Sequence, residues 1–180
     1  KFVDVDDSFC MDIDLIEKPV FDKSLDDKIL MSVYVKNSKR IFIGYNMRYM
    51  ESLNFIKTYI KNKKILSVVV NTTSNLKFWR KTSYDKSVSS SKKLGGGILL
   101  ELSHEFDYLT YLFGKLNTTF TSFKKTSNLN INVEDMINAN FKCKNYEINL
   151  HMNMFSFFQE RVIRIFFDNE TLVCDLNTGQ

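Results

Sequence analysis

The chain has 180 residues, is 44% hydrophobic and 26% charged, and carries a formal net charge of +4. Such a composition belongs to a globular protein with a real core and excludes a disordered or collagen-like chain. No apolar run reaches the roughly eighteen residues of a membrane-crossing helix, and the lysines form no long basic block of the kind that binds nucleic acid. Length predicts one domain or slightly more. Cys10, Cys143 and Cys174 are odd in number and widely spaced, so neither a metal site nor a disulfide framework is expected, and a cytoplasmic location fits.

In chain order, Ile13 to Ile16 is an apolar run that predicts a strand at about 12–16. Pro19 then fixes the exit of the chain and biases Lys18 away from helix. Lys18 would stand at the carboxyl end of that strand, where open α/β sheets bind ligands. Ser24 is a candidate N-cap for a helix to about Lys36, with Leu25, Ile29 and Val33 on its apolar face. Arg40 to Gly44 reads as a buried strand, completing a parallel crossover unit.

Gly44-Tyr45-Asn46-Met47-Arg48 leaves that strand, and a helix is predicted over about 50–62 with Leu53, Ile56 and Ile60 inward. Ile65 to Thr73 is a β-branched strand, and residues 74–93, which hold Trp79 and Arg80, read as an irregular loop of the length that is usually functional or disordered. Strands are then predicted at Thr118–Thr126, Asp135–Lys142, Tyr146–Met154, Arg161–Phe167 and Thr171–Leu176, the last two joined by a hairpin turn at Asp168-Asn169-Glu170. Tyr146 to Met154 alternates apolar and polar, the sign of a strand with one uncovered face. His151 lies on that polar face, where a structural role outweighs a chemical one.

The centre of the sequence is Leu94 to Tyr108, where Gly95, Gly96 and Gly97 run into an apolar helix. Glycines in a row let the backbone pass close to a ligand or to another strand. On one continuous helix, Glu101, His104 and either Asp107 or Tyr108 form a polar stripe beside Ile98, Leu102, Phe106 and Leu109. A histidine between carboxylates has the makings of a general acid/base, although a lone helix histidine is more often structural.

Glu17-Lys18-Pro19, Gly44 to Arg48, Trp79-Arg80 and Gly95 to Tyr108, in this order, resemble the glucose-fructose oxidoreductase/inositol dehydrogenase/rhizopine-catabolism family of NAD(P)-dependent dehydrogenases. The resemblance implies the end of a Rossmann-type parallel sheet over 1–47. Over 48–180 it implies a C-terminal α/β domain with an open, mostly antiparallel mixed sheet, covered by helices on one face. It carries the family's lysine onto Lys18 and its histidine onto His104, with Glu101 near the family's aspartate. Glu17, Lys18, Pro19, Trp79 and Arg80 become the cofactor contacts, Trp79 having a core role as its alternative. Tyr45, Arg48 and His104 become substrate contacts. The implied chemistry is hydride transfer between NAD or NADP and a sugar or nucleotide-sugar, in a homo-oligomer formed through the open sheet face.

One departure stands out: no G-x-G-x-x-G turn occurs anywhere in the chain, and such a turn seats the dinucleotide pyrophosphate. The expectation is therefore a fragment of a dehydrogenase that binds the cofactor poorly alone. A non-catalytic binding or assembly module is the alternative, and a hydrolase using transient NAD oxidation is a third reading.

Overall fold

The computed structural model describes residues 14–16, 36 and 41–179, and the chain divides into two compact units, 1–46 and 47–180. In the first, β1 (Asp14–Ile16) pairs in parallel with β2 (Ile41–Ile43), as the crossover pattern predicts. The helix expected between them, and Glu17, Lys18 and Pro19, lie outside the described residues apart from Lys36. Tyr45 follows β2, its N–H donating to the Ile43 carbonyl at 2.7 Å.

The second unit is built on six strands: β3 (Ile65–Asn75), β4 (Asn117–Lys124), β5 (Met136–Cys143), β6 (Tyr146–Asn153), β7 (Phe155–Phe167) and β8 (Thr171–Asp175). Their order is β4-β5-β6-β3-β7-β8. The β3–β6 pair is parallel and the other four pairs are antiparallel, so the sheet is open, mixed and mostly antiparallel. The six strands thus form no simple meander, because β3, first in sequence, sits in the middle.

Helices cover one face. On α1 (Glu51–Tyr59), Leu53 and Ile56 are fully buried, as their helical spacing predicts. They meet a core that includes Val68 and Val70 of β3, Ile148, Leu150 and Met152 of β6, and Ile163 and Ile165 of β7. Burying each such side chain contributes about 1.5–3 kcal/mol. The opposite face is amide-rich. There His151 Nδ1 meets Asn138 Oδ1 at 2.7 Å and its Nε2 meets Asn153 Nδ2 at 3.0 Å. Burial lowers the His151 pKa, against the Glu160 charge that raises it.

The stretch after the glycines corrects the sequence reading. It forms two helices, α2 (Ile98–Glu101) and α3 (His104–Phe113), rather than one. The helix breaks at Leu102, whose φ of −105° and ψ of 33° depart from helix while its side chain stays in the core. Glu105 and Tyr108 are both fully buried, and Phe106 is half-buried, edge-on to Phe141. The expected polar stripe is therefore not one face. Residues 74–93 are also more ordered than expected, with 3-10 turns at Leu76–Phe78, Tyr84–Lys86, Val88–Ser90 and Lys92–Leu94.

Asp135, before β5, is a fully buried carboxylate. It accepts from Thr126 N at 2.6 Å, Ser127 N at 3.0 Å and Ser127 Oγ at 2.6 Å, with Lys125 Nζ at 3.5 Å. Burial opposes its ionisation, but the Ser127 and Thr126 hydrogen bonds and the Lys125 charge outweigh burial and hold its pKa below the usual value. A folded pKa below the unfolded one contributes stability above the unfolded value, near ~3.9, that is lost as pH falls through the folded pKa. Asp135→Asn should therefore lower the unfolding temperature at neutral pH, and the gap to wild type should close in acid. A pH series of thermal melts checks this; a gap independent of pH would contradict it.

Candidate functional site

A cleft of about 490 Å³ opens in the second unit where the end of β3 meets the first half of β7. Thr72 to Asn75 line one wall, Ser156, Phe157 and Gln159 to Arg161 another, with Phe78, Trp79, Glu101, Leu102 and Asn177 completing it. The cleft exists because β3 and β7 lose register between Thr73 and Asn75, whose partners are Glu160 and Phe155. The extra residues bulge outward. Thr73 Oγ1 donates to the Phe158 carbonyl at 2.8 Å and Asn75 Nδ2 to the Phe155 carbonyl at 3.1 Å. The bulge is thus pinned, and it holds Phe157 and Phe158 in solvent at 83% and 73% exposure. Phe157 stands edge-on to the exposed Phe78 at 6.2 Å.

Several expected site residues meet here. Glu101 lines the cleft, with Arg80 Nη2 at 4.0 Å from its Oε2. Trp79 lines it too, and its Nε1 donates to Ser74 Oγ at 2.9 Å, which fixes the ring. Trp79 also packs on the core, so the cleft and the core readings both describe it. His104 does not line the cleft; it begins α3, half-buried, just past the helix break. Arg48 is held elsewhere in the unit by a two-pronged ion pair with Asp107, Nε to Oδ2 at 2.8 Å and Nη2 to Oδ1 at 2.5 Å. The Asp107 hydrogen bond raises the Arg48 pKa, and its guanidinium lies 5.5 Å from the Tyr111 ring centre. Tyr45 belongs to the first unit.

The sequence reading missed Glu105 and Arg161. Glu105 is fully buried and accepts from Arg161 Nε at 2.9 Å. Burial pushes its carboxyl above the usual range, against the Arg161 charge. The available signal was its spacing: Glu105 lies three residues after Leu102 and four before Leu109, within the buried helix stripe.

The glycines are accounted for by packing rather than by a ligand. A Cβ on Gly96 would sit 2.2 Å from the Val88 carbonyl oxygen, and one on Gly97 2.4 Å from Glu134 Oε1. Gly95 and Gly97 have positive φ, 78° and 111°. The run makes the close backbone approach, against the turn at 88–90.

The sequence matches no curated protein. In fold, the chain is similar to the WlbA dehydrogenase from Bordetella pertussis in complex with NADH and UDP-GlcNAcA. The TM-score is 0.73 at 20% identity, covering 89% of this chain and 51% of that one. WlbA from Chromobacterium violaceum, also solved with NADH and UDP-GlcNAcA, gives a TM-score of 0.74 at 20% identity over 89% of this chain and 48% of that one. A myo-inositol dehydrogenase from Corynebacterium glutamicum gives 0.67 at 17% identity over 89% and 48%. The chain spans about half the length of these structures, and at such identities they establish the fold alone. The decisive match is in sequence: residues 57–162, from the end of α1 into β7, match the model of the oxidoreductase family's C-terminal alpha/beta domain. The chain belongs to the glucose-fructose oxidoreductase/inositol dehydrogenase/MocA oxidoreductase family.

Proposed function

We propose that the chain is the substrate-side part of an NAD(P)-dependent dehydrogenase acting on a hydroxyl-bearing carbon of a sugar or nucleotide-sugar. The observation that carries this reading is the cleft between β3 and β7, polar inside and aromatic at its rim, in a chain of an oxidoreductase family. Structures of the same fold that hold NADH and a nucleotide-sugar support it.

A bound nicotinamide would supply the hydride acceptor. The work left to this chain is binding, orientation and proton handling. An alcohol carbon gives up hydride more readily as its oxygen becomes anionic, so a base near that oxygen and a cation beside it lower the barrier. By the resemblance, His104 is the base in this reading and Lys18 the cation, with Glu17 and Pro19 as further cofactor contacts. The same resemblance gives Glu101 a catalytic role beside His104, makes Trp79 and Arg80 cofactor contacts, and makes Tyr45 and Arg48 substrate contacts. The amide-rich open face of the sheet is where a second copy would pack.

A second reading, a non-catalytic binding module, draws on the absence of a glycine-rich phosphate turn and on the packing role of Gly95 to Gly97. Two measurements separate the readings: the intact mass of the protein in its source cells, and NADH formation with candidate sugars. A mass well above the chain's 21.1 kDa together with net NADH formation supports the dehydrogenase. No cofactor binding at any mass supports the module. Bound cofactor without net turnover points to transient oxidation in a hydrolase.

A further inference from the structure

The reaction proposed above makes no use of Glu105, yet this carboxylate is fully buried on α3. Removing a carboxylate from water is costly unless a partner compensates. Here the partner is Arg161 of β7, whose Nε donates to Glu105 Oε1 at 2.9 Å. Arg161 lines the cleft and its side chain is 24% exposed. Its side-chain hydrogen bonds among the described residues stop at that Nε contact, so its terminal N–H groups remain as a fixed planar set of donors. Thr72, the cross-strand partner of Arg161, lines the same cleft. Thr72 Oγ1, Glu105 Oε2 and Tyr108 OH are buried near one another, with the Thr72 hydroxyl favouring ionisation of both neighbours and the Glu105 charge opposing that of Tyr108.

Charge decides what such a site accepts. The carboxylates that line the cleft each face a guanidinium, Glu160 with Arg164 at 3.0 Å and Glu101 with Arg80 at 4.0 Å, and Glu105 faces Arg161 from behind it. Arg161 is thus already neutralised from behind. Its donors suit a pair of uncharged acceptors better than a carboxylate. The anchored Trp79 ring and the Phe78–Phe157 pair offer flat apolar surface for the C–H face of a ring.

We propose that Arg161 is a ligand-binding residue of the cleft, positioned by Glu105, and that it holds two neighbouring hydroxyls of an uncharged sugar ring packed against the aromatic rim. The proposal rests on the reading that the cleft is the substrate site, but it concerns recognition rather than hydride transfer.

Trp79 is the one tryptophan of the chain, so its fluorescence reports occupancy of the cleft without cofactor or turnover. The full chain is titrated with UDP-N-acetylglucosamine, with its C6 carboxylate counterpart, and with UDP alone. The neutral sugar nucleotide is expected to bind more tightly than either. Arg161→Lys keeps a positive charge beside Glu105 and so preserves the fold, but loses the planar fork; affinity for the neutral ligand should fall about tenfold or more. Glu105→Gln keeps the shape and releases the Arg161 charge, so preference should swing about tenfold toward the carboxylate ligand. A merely structural Glu105 would not alter that preference. Wild-type affinity in Arg161→Lys, a preference of the wild type for the carboxylate, equal binding of UDP alone, or no binding would each overturn the proposal. NADH formation that depends on His104 alongside ligand affinity indifferent to Arg161→Lys would overturn this inference and leave the proposed function standing.

Discussion

If the proposed dehydrogenase reading holds, replacing His104 with alanine is expected to lower turnover by about 10²–10⁴-fold, the range for loss of a general base, and to leave cofactor affinity unchanged. The helix break at Leu102 and Ser103 places His104 at the first residue of α3, half-buried. Around it, Glu101 turns to the cleft, Glu105 is committed to Arg161, and Asp107 is committed to Arg48. The carboxylates that flank His104 in sequence are each paired with an arginine. An imidazole can take a proton near neutral pH, which suits His104 to the base role proposed for it. Steady-state NADH formation, with cofactor titrated separately, tests the assignment. Unchanged turnover would remove His104 from the chemistry; lost turnover with lost cofactor binding would make it structural.

Much of this fold is legible in the sequence because its signals are local. Tyr146 to Asn153 alternates, and burial alternates with it. Leu53, Ile56 and Ile60 share a helix face and are buried together. The break in the central helix was not legible. Ile98, Leu102, Phe106 and Leu109 fit one continuous apolar stripe, and Glu105, which falls within that stripe at helical spacing, is buried along with Ile98, Leu102 and Leu109. A buried glutamate cannot be recognised before its arginine is known, and Arg161 lies on a distant strand whose pairing with β3 is a tertiary fact. The cleft has the same origin, since it follows from a register shift between two strands rather than from any motif. Glu101, Trp79 and Arg80 are named by the resemblance; Glu101 and Trp79 line the cleft, and Arg80 stands 4.0 Å from Glu101.

The glycine run supplies the largest stability effect. Gly96→Ala is expected to destabilise the chain by about 3 kcal/mol or more, at the upper end for overpacking, because backbone rather than a side chain blocks the new methyl. A Cβ at this position meets the Val88 carbonyl oxygen at 2.2 Å, Ser89 O at 2.7 Å and Ser89 C at 2.8 Å. The turn it strikes cannot yield easily. Gly96 N donates to Ser91 O at 2.9 Å, Gly97 N to Ser89 O at 3.2 Å and Asn132 N to Ser90 O at 3.2 Å. The buried Ser90 hydroxyl closes further contacts with the Asp85 and Ser87 carbonyls, at 3.0 and 2.7 Å. Gly95→Ala has open space and only its φ of 78° to oppose it, which costs about 1–2 kcal/mol. Gly97→Ala should fall between, since its φ of 111° is unfavourable but the Glu134 carboxylate it meets ends a side chain that can swing away. Urea unfolding midpoints at constant slope rank the three directly. Gly96→Ala as stable as Gly95→Ala would mean that the 88–90 turn does not lie against the glycines. The expected order ties the run to function, because α2 starts at its end and carries Glu101 to the cleft. A displaced Gly96 should therefore weaken ligand binding as well as the fold, while Gly95→Ala should weaken only the fold.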